Sequence, residues 1–280
     1  MGGNSSSYHQ IKEEEESTPL KSNLEDIPEN CKALILTHLN PIEICNLSCM
    51  NRSFQAASSA NFIWDLKLPS NYQFIVDKLE KVKFFDLGKK ELYGRLCQHN
   101  PFDGGTREIW VDKKTGGVCL LISSIGLVIT GVDDRRYWTH IPTDESRFET
   151  IAYLQQTWWL EIVGELDFQL PSGSYSLFFR LQLGKSGKRL GRRICNIDHI
   201  HGWDIKPVIF QLTTSDGQCS ISRCFLDNPG NWVRYRVGDF VVSRPDQSTK
   251  IKFSLRQIDC THTKGGLCID SVFICPNYLG

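Results

Sequence analysis

The spacing of hydrophobic positions changes partway along the chain. From residue 20 to about 66 it is helical. Ile35 and Leu39 stand four apart, flanked by Ala33, Leu34 and Leu36, which predicts a helix over 29–39. Asn40-Pro41 ends it, and Pro41 can open the next helix. Ile44, Leu47, Met50 and Phe54 then recur at three- and four-residue steps and predict a second helix. Phe62, Ile63, Trp64 and Leu66 form a third apolar cluster. A connector over 67–104 has helical character at 77–85 and 89–98, divided by Gly88. Asn100-Pro101-Phe102-Asp103-Gly104-Gly105 is a stop signal, and the domain boundary is placed there.

From about 105 to 277 the period is two. Tyr175, Leu177, Phe179, Leu181 and Leu183 alternate with other residues. Leu160 and Ile162 do the same, as do Val208, Phe210 and Leu212, then Val233, Tyr235 and Val237, and then Ile251, Phe253 and Leu255. Pro171-Ser172-Gly173, Ser215-Asp216-Gly217, Asn228-Pro229-Gly230 and Lys264-Gly265-Gly266 punctuate these runs as turns. Many short strands with polar turns predict an antiparallel sandwich or barrel. The fold class is therefore mixed: a small all-α N-terminal domain, then an all-β domain.

Composition narrows the function. The chain has 280 residues, enough for two domains, and Lys+Arg and Asp+Glu are equal at 32 each. That balance argues against bulk nucleic-acid binding. Eleven cysteines include no CxxC pair, so a zinc ribbon is not expected. Most, such as Cys45 and Cys119, sit among apolar neighbours and read as reduced, buried hydrophobes. The tail over 1–19 carries Glu13 to Glu16, lacks an apolar signal core, and is expected to be disordered. No apolar run approaches the roughly 20 residues of a membrane helix. The expected location is the cytoplasm or nucleus. Gly2, in Met1-Gly2-Gly3-Asn4-Ser5-Ser6, fits a myristoylation acceptor. A single acyl chain beside a tetra-Glu run does not predict stable membrane anchoring.

Other clusters have plain readings. Arg180, Lys185, Lys188, Arg189, Arg192 and Arg193 read as a solvated loop between strands. His199 and His201 lack a third ligand at suitable spacing. Glu161 and Glu165 share one strand face and read as solvated. No nucleophile motif, cofactor loop or matched acid–base pair stands out, so neither catalysis nor a cofactor is expected.

Ile27-Pro28-Glu29, Ile35, Leu39, Pro41, Ile44, Leu47, Asn51-Arg52-Ser53-Phe54 and Trp64 resemble, in order, the F-box. Two positions depart mildly from that motif: Ile27 stands where Leu usually precedes the proline, and Glu43-Ile44 where Asp-Leu is common. The resemblance implies docking to a Skp-type adaptor and, through it, to a cullin scaffold. The residues it assigns to docking are Ile27, Pro28, Ile35, Leu39, Pro41, Ile44 and Leu47. Three helices in under fifty residues make a thin core of their own, which suits a module that buries its apolar side on a partner.

The second domain resembles phloem protein two, the Nictaba-like plant lectins, over nearly its whole length. Gly117-Val118-Cys119, Ile129-Thr130, Asp133-Asp134 and Arg135-Arg136-Tyr137-Trp138 open the resemblance. Ser146-Arg147-Phe148-Glu149, Trp159 to Gly164, Gly202-Trp203, Asn231-Trp232, Gly238-Asp239-Phe240 and Lys264 to Leu267 continue it. That family implies a jelly-roll-like β-sandwich and the binding of N-acetylglucosamine oligomers or N-glycans. Asp133, Asp134, Tyr137 and Trp138 are the residues it points to; Tyr137-Trp138 reads equally as a core anchor that starts a strand. Where the lectins have Ile-Thr-Trp, this chain has Ile129-Thr130-Gly131. The missing aromatic face removes about 1–2 kcal/mol of sugar contact. Together the two resemblances imply a plant F-box protein that recruits a protein or glycoprotein target for ubiquitination. The rival reading is an intracellular lectin or scaffold whose helices only complete its fold.

Overall fold

A computed structural model describes residues 27–79, 84, 86–189 and 192–277, the side chains of 186–195 excepted. The N-terminal tail and Gly2 lie outside the described residues. Short helices come first: α1 (Glu29–Leu36), α2 (Pro41–Ser48), α3 (Arg52–Ala57), α4 (Asn61–Asp65), α5 (Tyr72–Lys78) and α6 (Lys89–Leu96). α2 starts at the predicted proline. Asn40 Oδ1 accepts from the Glu43 amide at 2.9 Å, and Glu43 Oε2 accepts from the Asn40 amide at 2.9 Å. This reciprocal cap satisfies two amides that a helix start would otherwise leave without partners.

The helix expected to run from Ile44 through Phe54 is in fact two. Asn51 divides them, because its side chain accepts from the Phe54 amide at 2.9 Å and caps α3. α1 is shorter than expected and ends at Leu36. The helix expected over 77–85 lies earlier, with α5 ending at Lys78; residues 80–83 and 85 are outside the described set.

The strands are β1 (Asn100–Phe102), β2 (Arg107–Val111), β3 (Val118–Ser123), β4 (Val128–Ile129), β5 (Trp138–Pro142), β6 (Thr150–Leu154), β7 (Leu160–Phe168) and β8 (Gly173–Leu183). They continue as β9 (Lys185–Arg189), β10 (Arg192–Asn196), β11 (Val208–Thr214), β12 (Cys219–Cys224), β13 (Val233–Val242), β14 (Thr249–Gln257) and β15 (Leu267–Pro276). One sheet of the jelly-roll-like sandwich runs β12-β11-β14-β7-β4. The other is built on β15. β8 lines one side of β15 and carries β13 beyond it. On the other side, Leu267 to Ile269 pair with β6, which leads to β5, and Ser271 to Ile274 pair with β3, which leads to β2 and β1.

The alternation seen in sequence sets the interior. Leu177, Phe179, Leu181, Phe210, Leu212, Phe253 and Leu255 are buried between the sheets. Phe179 meets Phe210 at 5.8 Å and Phe253 at 6.0 Å between ring centroids. On β13 the period slips after Val237, where a bulge between Arg236 and Gly238 turns Phe240 and Val242 inward. Gly238 is needed there, since a Cβ would stand 2.2 Å from Ser220 Oγ.

Two sequence expectations change. The stop at Asn100 to Gly105 is partly strand: Asn100 to Phe102 pair with Ile109 to Arg107, so β-pairing begins before the expected boundary. The basic run is a β-hairpin, not a loop, with Arg192 opposite Arg189 and Asn196 opposite Lys185. Arg180, at the head of that run, belongs instead to β8. The helices are joined to the sandwich through one interior. Phe74 of α5 meets Phe168 edge-on at 4.9 Å, and Asn71 Nδ2 donates to Gln169 O at 2.6 Å.

Candidate functional site

The expected docking residues divide into two groups. Ile44 is fully buried within this chain, and Leu39 and Leu47 pack against the same interior. Ile44 is therefore corrected from a partner contact to a core residue. Pro28, which caps α1, is exposed; Ile27 and Pro41 are half-buried. Ile35 is 44% exposed, and its neighbour Leu34 is 59% exposed. Met50, 73% exposed, and Phe62 and Leu66 are further bare apolar groups on the helices. An eight-residue helix buries one stripe, here Ala33 and Leu36, and α1 carries apolar residues off that stripe as well. Sequence reading recorded Leu34 and Met50 as part of the helical pattern and missed them as surface; the missing signal was which stripe faces in.

The expected sugar site is a closed turn. Thr130 O accepts from Trp138 Nε1 at 3.1 Å, and Trp138 is 2% exposed. A ring so covered presents no face to a sugar, so Trp138 is the core anchor of β5. Asp134 takes a two-pronged ion pair from Arg136, with Nε at 3.1 Å and Nη2 at 2.7 Å. Hydrogen bonds from the Arg136 side chain and backbone hold its carboxyl below the usual carboxylate range. Tyr137 is half-buried and Asp133 exposed. At Gly131, φ is +76°, a backbone region that resists the tryptophan of the lectins.

The other motifs of the β-domain are structural knots. Gly202-Trp203 and Lys264-Gly265 meet: Trp203 Nε1 donates to Gly265 O at 2.7 Å, and a Cβ on Gly202 would stand 2.2 Å from Thr263 O. Lys264, buried, donates to Trp158 O at 2.7 Å, Gln257 O at 3.1 Å and Asp259 O at 2.9 Å. Burial pulls its pKa down, against the opposing pull of Cys260 and Asp259. The segment 143–149 straps the outer face of β15. Ser146 Oγ donates to Asp270 Oδ1, Glu145 accepts from Trp232 Nε1 at 2.9 Å, and Phe148 caps an outer cluster with Phe178 and Phe273. Asp270, 2% exposed, also takes Arg180 Nη1 at 2.7 Å.

Arg147 extends the strap to Glu108 at 2.9 Å, and Glu108 also meets His99 Nδ1 at 2.9 Å. His99 lies on Trp110 at 4.0 Å. Burial, and then Arg147, lower its pKa below the ordinary 6.5, against the pull of Glu108. The unfolded chain thus binds a proton before the folded one does. Stability is complete above the ordinary histidine pKa and falls as pH drops below it toward the folded value. Urea denaturation between pH 7.5 and 5 should show that fall, and His99→Gln should remove part of it.

The remaining clusters behave as solvated or inert groups. Glu161 pairs with Arg256 at 3.0 Å and Glu165 with Lys250 at 2.6 Å. Among the described residues no group of His, Cys, Asp and Glu could hold a metal ion. The described cysteines are free thiols. Cys119 and Cys275 are buried, and burial pushes the Cys275 thiol up to about 11 and that of Cys119 further. Cys45, expected inside, is exposed, because α2 turns Ile44 inward instead.

One cleft went unforeseen. A space of about 380 Å³ is lined by Thr139, Tyr153, Gln155, Lys185, Asn196 and His199. They come from β5, β6, their flanks and the base of the β9–β10 hairpin, segments far apart in sequence.

Comparison with known proteins places these features. The phloem protein 2 family profile matches residues 117–276, and the F-box domain profile matches 24–66. The chain is 64% identical over 258 residues to F-box protein PP2-A13 of Arabidopsis thaliana, covering 91% of this chain and 89% of that one. It is 57% identical over 259 residues to F-box protein PP2-A12 of the same plant, covering 92% and 89%. Among solved structures, CBM35 from Cellvibrio japonicus Abf62 aligns at TM-score 0.34 and 16% identity, covering 56% of this chain and 91% of that one.

Proposed function

The chain belongs to the phloem protein 2 family and carries an F-box ahead of the family's β-domain, and on that premise we propose that it is the target-recruiting adaptor of a Skp–cullin ubiquitin ligase. The observation that carries this reading is the bare apolar surface of the F-box helices, with Leu34, Ile35 and Met50 uncovered by the chain's own fold. Several large apolar side chains left bare on one small helical module suit a protein-interaction site. In this reading the helices hold the adaptor, and the sandwich selects a target protein. Ubiquitin transfer belongs to other subunits. Free thiols support a reducing site of action, the cytoplasm or nucleus.

The buried Trp138 and the glycine at 131 weigh against neutral sugars as the basis of selection. The folded full chain is therefore expected to leave an array of N-acetylglucosamine oligomers and N-glycans unbound. Retention at micromolar protein would return the lectin ligand to consideration.

The function itself is tested by mixing the purified full chain with a Skp-type adaptor and a cullin scaffold. A three-part complex on gel filtration is the expected result. Absence of adaptor binding by a folded chain removes the ligase role and leaves the rival, a scaffold whose helices only complete its interior.

A further inference from the structure

α2 and α6 both line a second cleft, of about 400 Å³, where the F-box helices meet the connector. Pro41, Ile42, Cys45 and Asn46 form one face of α2, and Lys90, Tyr93, Gly94 and Cys97 form one stripe of α6. Trp64 of α4 and Lys113, in the turn after β2, complete the lining. The size suits a small organic molecule. Half of the lining comes from outside the F-box segment 24–66, so a seat for the adaptor alone does not account for it.

Two features mark the cleft as more than a packing gap. The first is Gly94. Glycine inside a helix weakens it relative to alanine, and nothing in the fold requires one here. Its φ is not positive, and an added Cβ would meet no atom within 4 Å. The space a side chain would take stays open on the stripe that lines the cleft.

The second is Tyr93. It is 4% exposed, yet among the described residues its hydroxyl has no hydrogen-bond partner beyond the Cys97 thiol, a weak acceptor. Buried hydroxyls normally have a full partner. Burial, and then Cys97, raise its pKa, so the hydroxyl keeps its proton for an acceptor. Cys45 of α2 is also near enough to act on it, which places the hydroxyl toward the cleft.

The charges at the cleft are basic. Lys90 Nζ donates to Ser58 Oγ at 2.9 Å and stands 5.8 Å from the centre of the Trp64 ring, and Lys113 is exposed. No carboxylate is among the described lining residues. Nearby Asp112 is engaged in its own turn, where Oδ1 accepts from the Lys114 and Thr115 amides at 3.1 and 2.9 Å. In a chain with equal numbers of acidic and basic residues, that is a local bias.

We propose that this cleft binds a small organic anion with an apolar body. The body lies between α2 and α6 over Gly94, an oxygen accepts from the Tyr93 hydroxyl, and the charge faces Lys90 and Lys113. The site goes beyond the adaptor role and does not depend on it.

The test uses the full chain and two fluorescent probes, 8-anilinonaphthalene-1-sulfonate and its uncharged counterpart N-phenyl-1-naphthylamine. The anion should bind one to one and at least about tenfold tighter than the neutral probe, a preference that weakens as salt rises. Gly94→Leu fills the open space and should abolish the tight site without lowering the melting temperature. Lys113→Glu should remove the preference for the anion and Lys113→Arg should keep it; Lys113 is exposed, so this pair reads the site with folding untouched. Tyr93→Phe should weaken the anion by about three- to tenfold. Equal binding of the two probes overturns the proposal, as does a tight site that survives Gly94→Leu in a folded chain. So does release of the anion by one equivalent of a Skp-type adaptor, which would make the cleft part of the adaptor's seat. The probes are read on the chain without partners, so a chain that fails to bind the adaptor loses the ligase role and keeps this site.

Discussion

Lys264→Met should leave the sandwich unable to hold its native state under mild denaturing conditions. The ammonium supplies protons to three carbonyls from three places: Trp158, Gln257 and Asp259. Methionine keeps most of the stem volume and donates nothing. Each buried acceptor left without a partner costs about 1–3 kcal/mol, so the three together lose on the order of 3–9 kcal/mol. A domain's whole stability is about 5–15 kcal/mol. Neighbouring Gly265 and Gly266 allow no compensating shift, because added Cβ atoms would already stand 2.3 Å from Gln155 O and 2.9 Å from His199 O. Urea denaturation followed by tryptophan fluorescence measures the loss. A change below about 1 kcal/mol would show that water replaces the ammonium and that the motif is not a structural knot.

The second large effect concerns binding with folding left intact. Leu34→Glu with Ile35→Glu should reduce affinity for a Skp-type adaptor by about a hundredfold or more, the scale of two lost central contacts of roughly 1.5 kcal/mol each. Both side chains are bare, so the melting temperature should hold within about 2 °C. Calorimetric titration with the adaptor and a thermal melt of the same preparation separate the two effects. Changing Leu39 instead would confuse them, because Leu39 packs on this chain's own interior. Adaptor affinity unchanged in the doubly charged variant, with the fold intact, moves the docking face elsewhere.

Local signals were legible in the sequence, and long-range ones were not. Asn40-Pro41-Ile42-Glu43 carries its own helix start, and the structure uses it as written. The alternation from Tyr175 to Leu183 is read in the same way, since a strand buried on one face displays its period directly. β15 shows no alternation because the strap over 143–149 covers its second face; that cover lies more than a hundred residues earlier in the chain. Asn51 deceived the helical count because a capping residue can fall at a position where the apolar period continues. Trp138 is ambiguous in sequence, as an aromatic beside two carboxylates suits either a sugar or a core. Only its hydrogen bond to Thr130 O and its burial decide. The cleft had no local signature at all: Thr139, Lys185 and His199 become neighbours only after the sheet and the hairpin are built.

The edge-on meeting of Phe74 and Phe168, with the Asn71 to Gln169 hydrogen bond beside it, has a bearing on ubiquitin itself. A module tethered by a loose linker sweeps its cargo through many orientations, and any lysine that drifts past the transferring enzyme is modified. Here the helices and the sandwich share one hydrophobic interior. Cargo held on the sandwich would reach the enzyme in a fixed pose, so the choice of modified lysine would follow from geometry and shift if that junction were loosened.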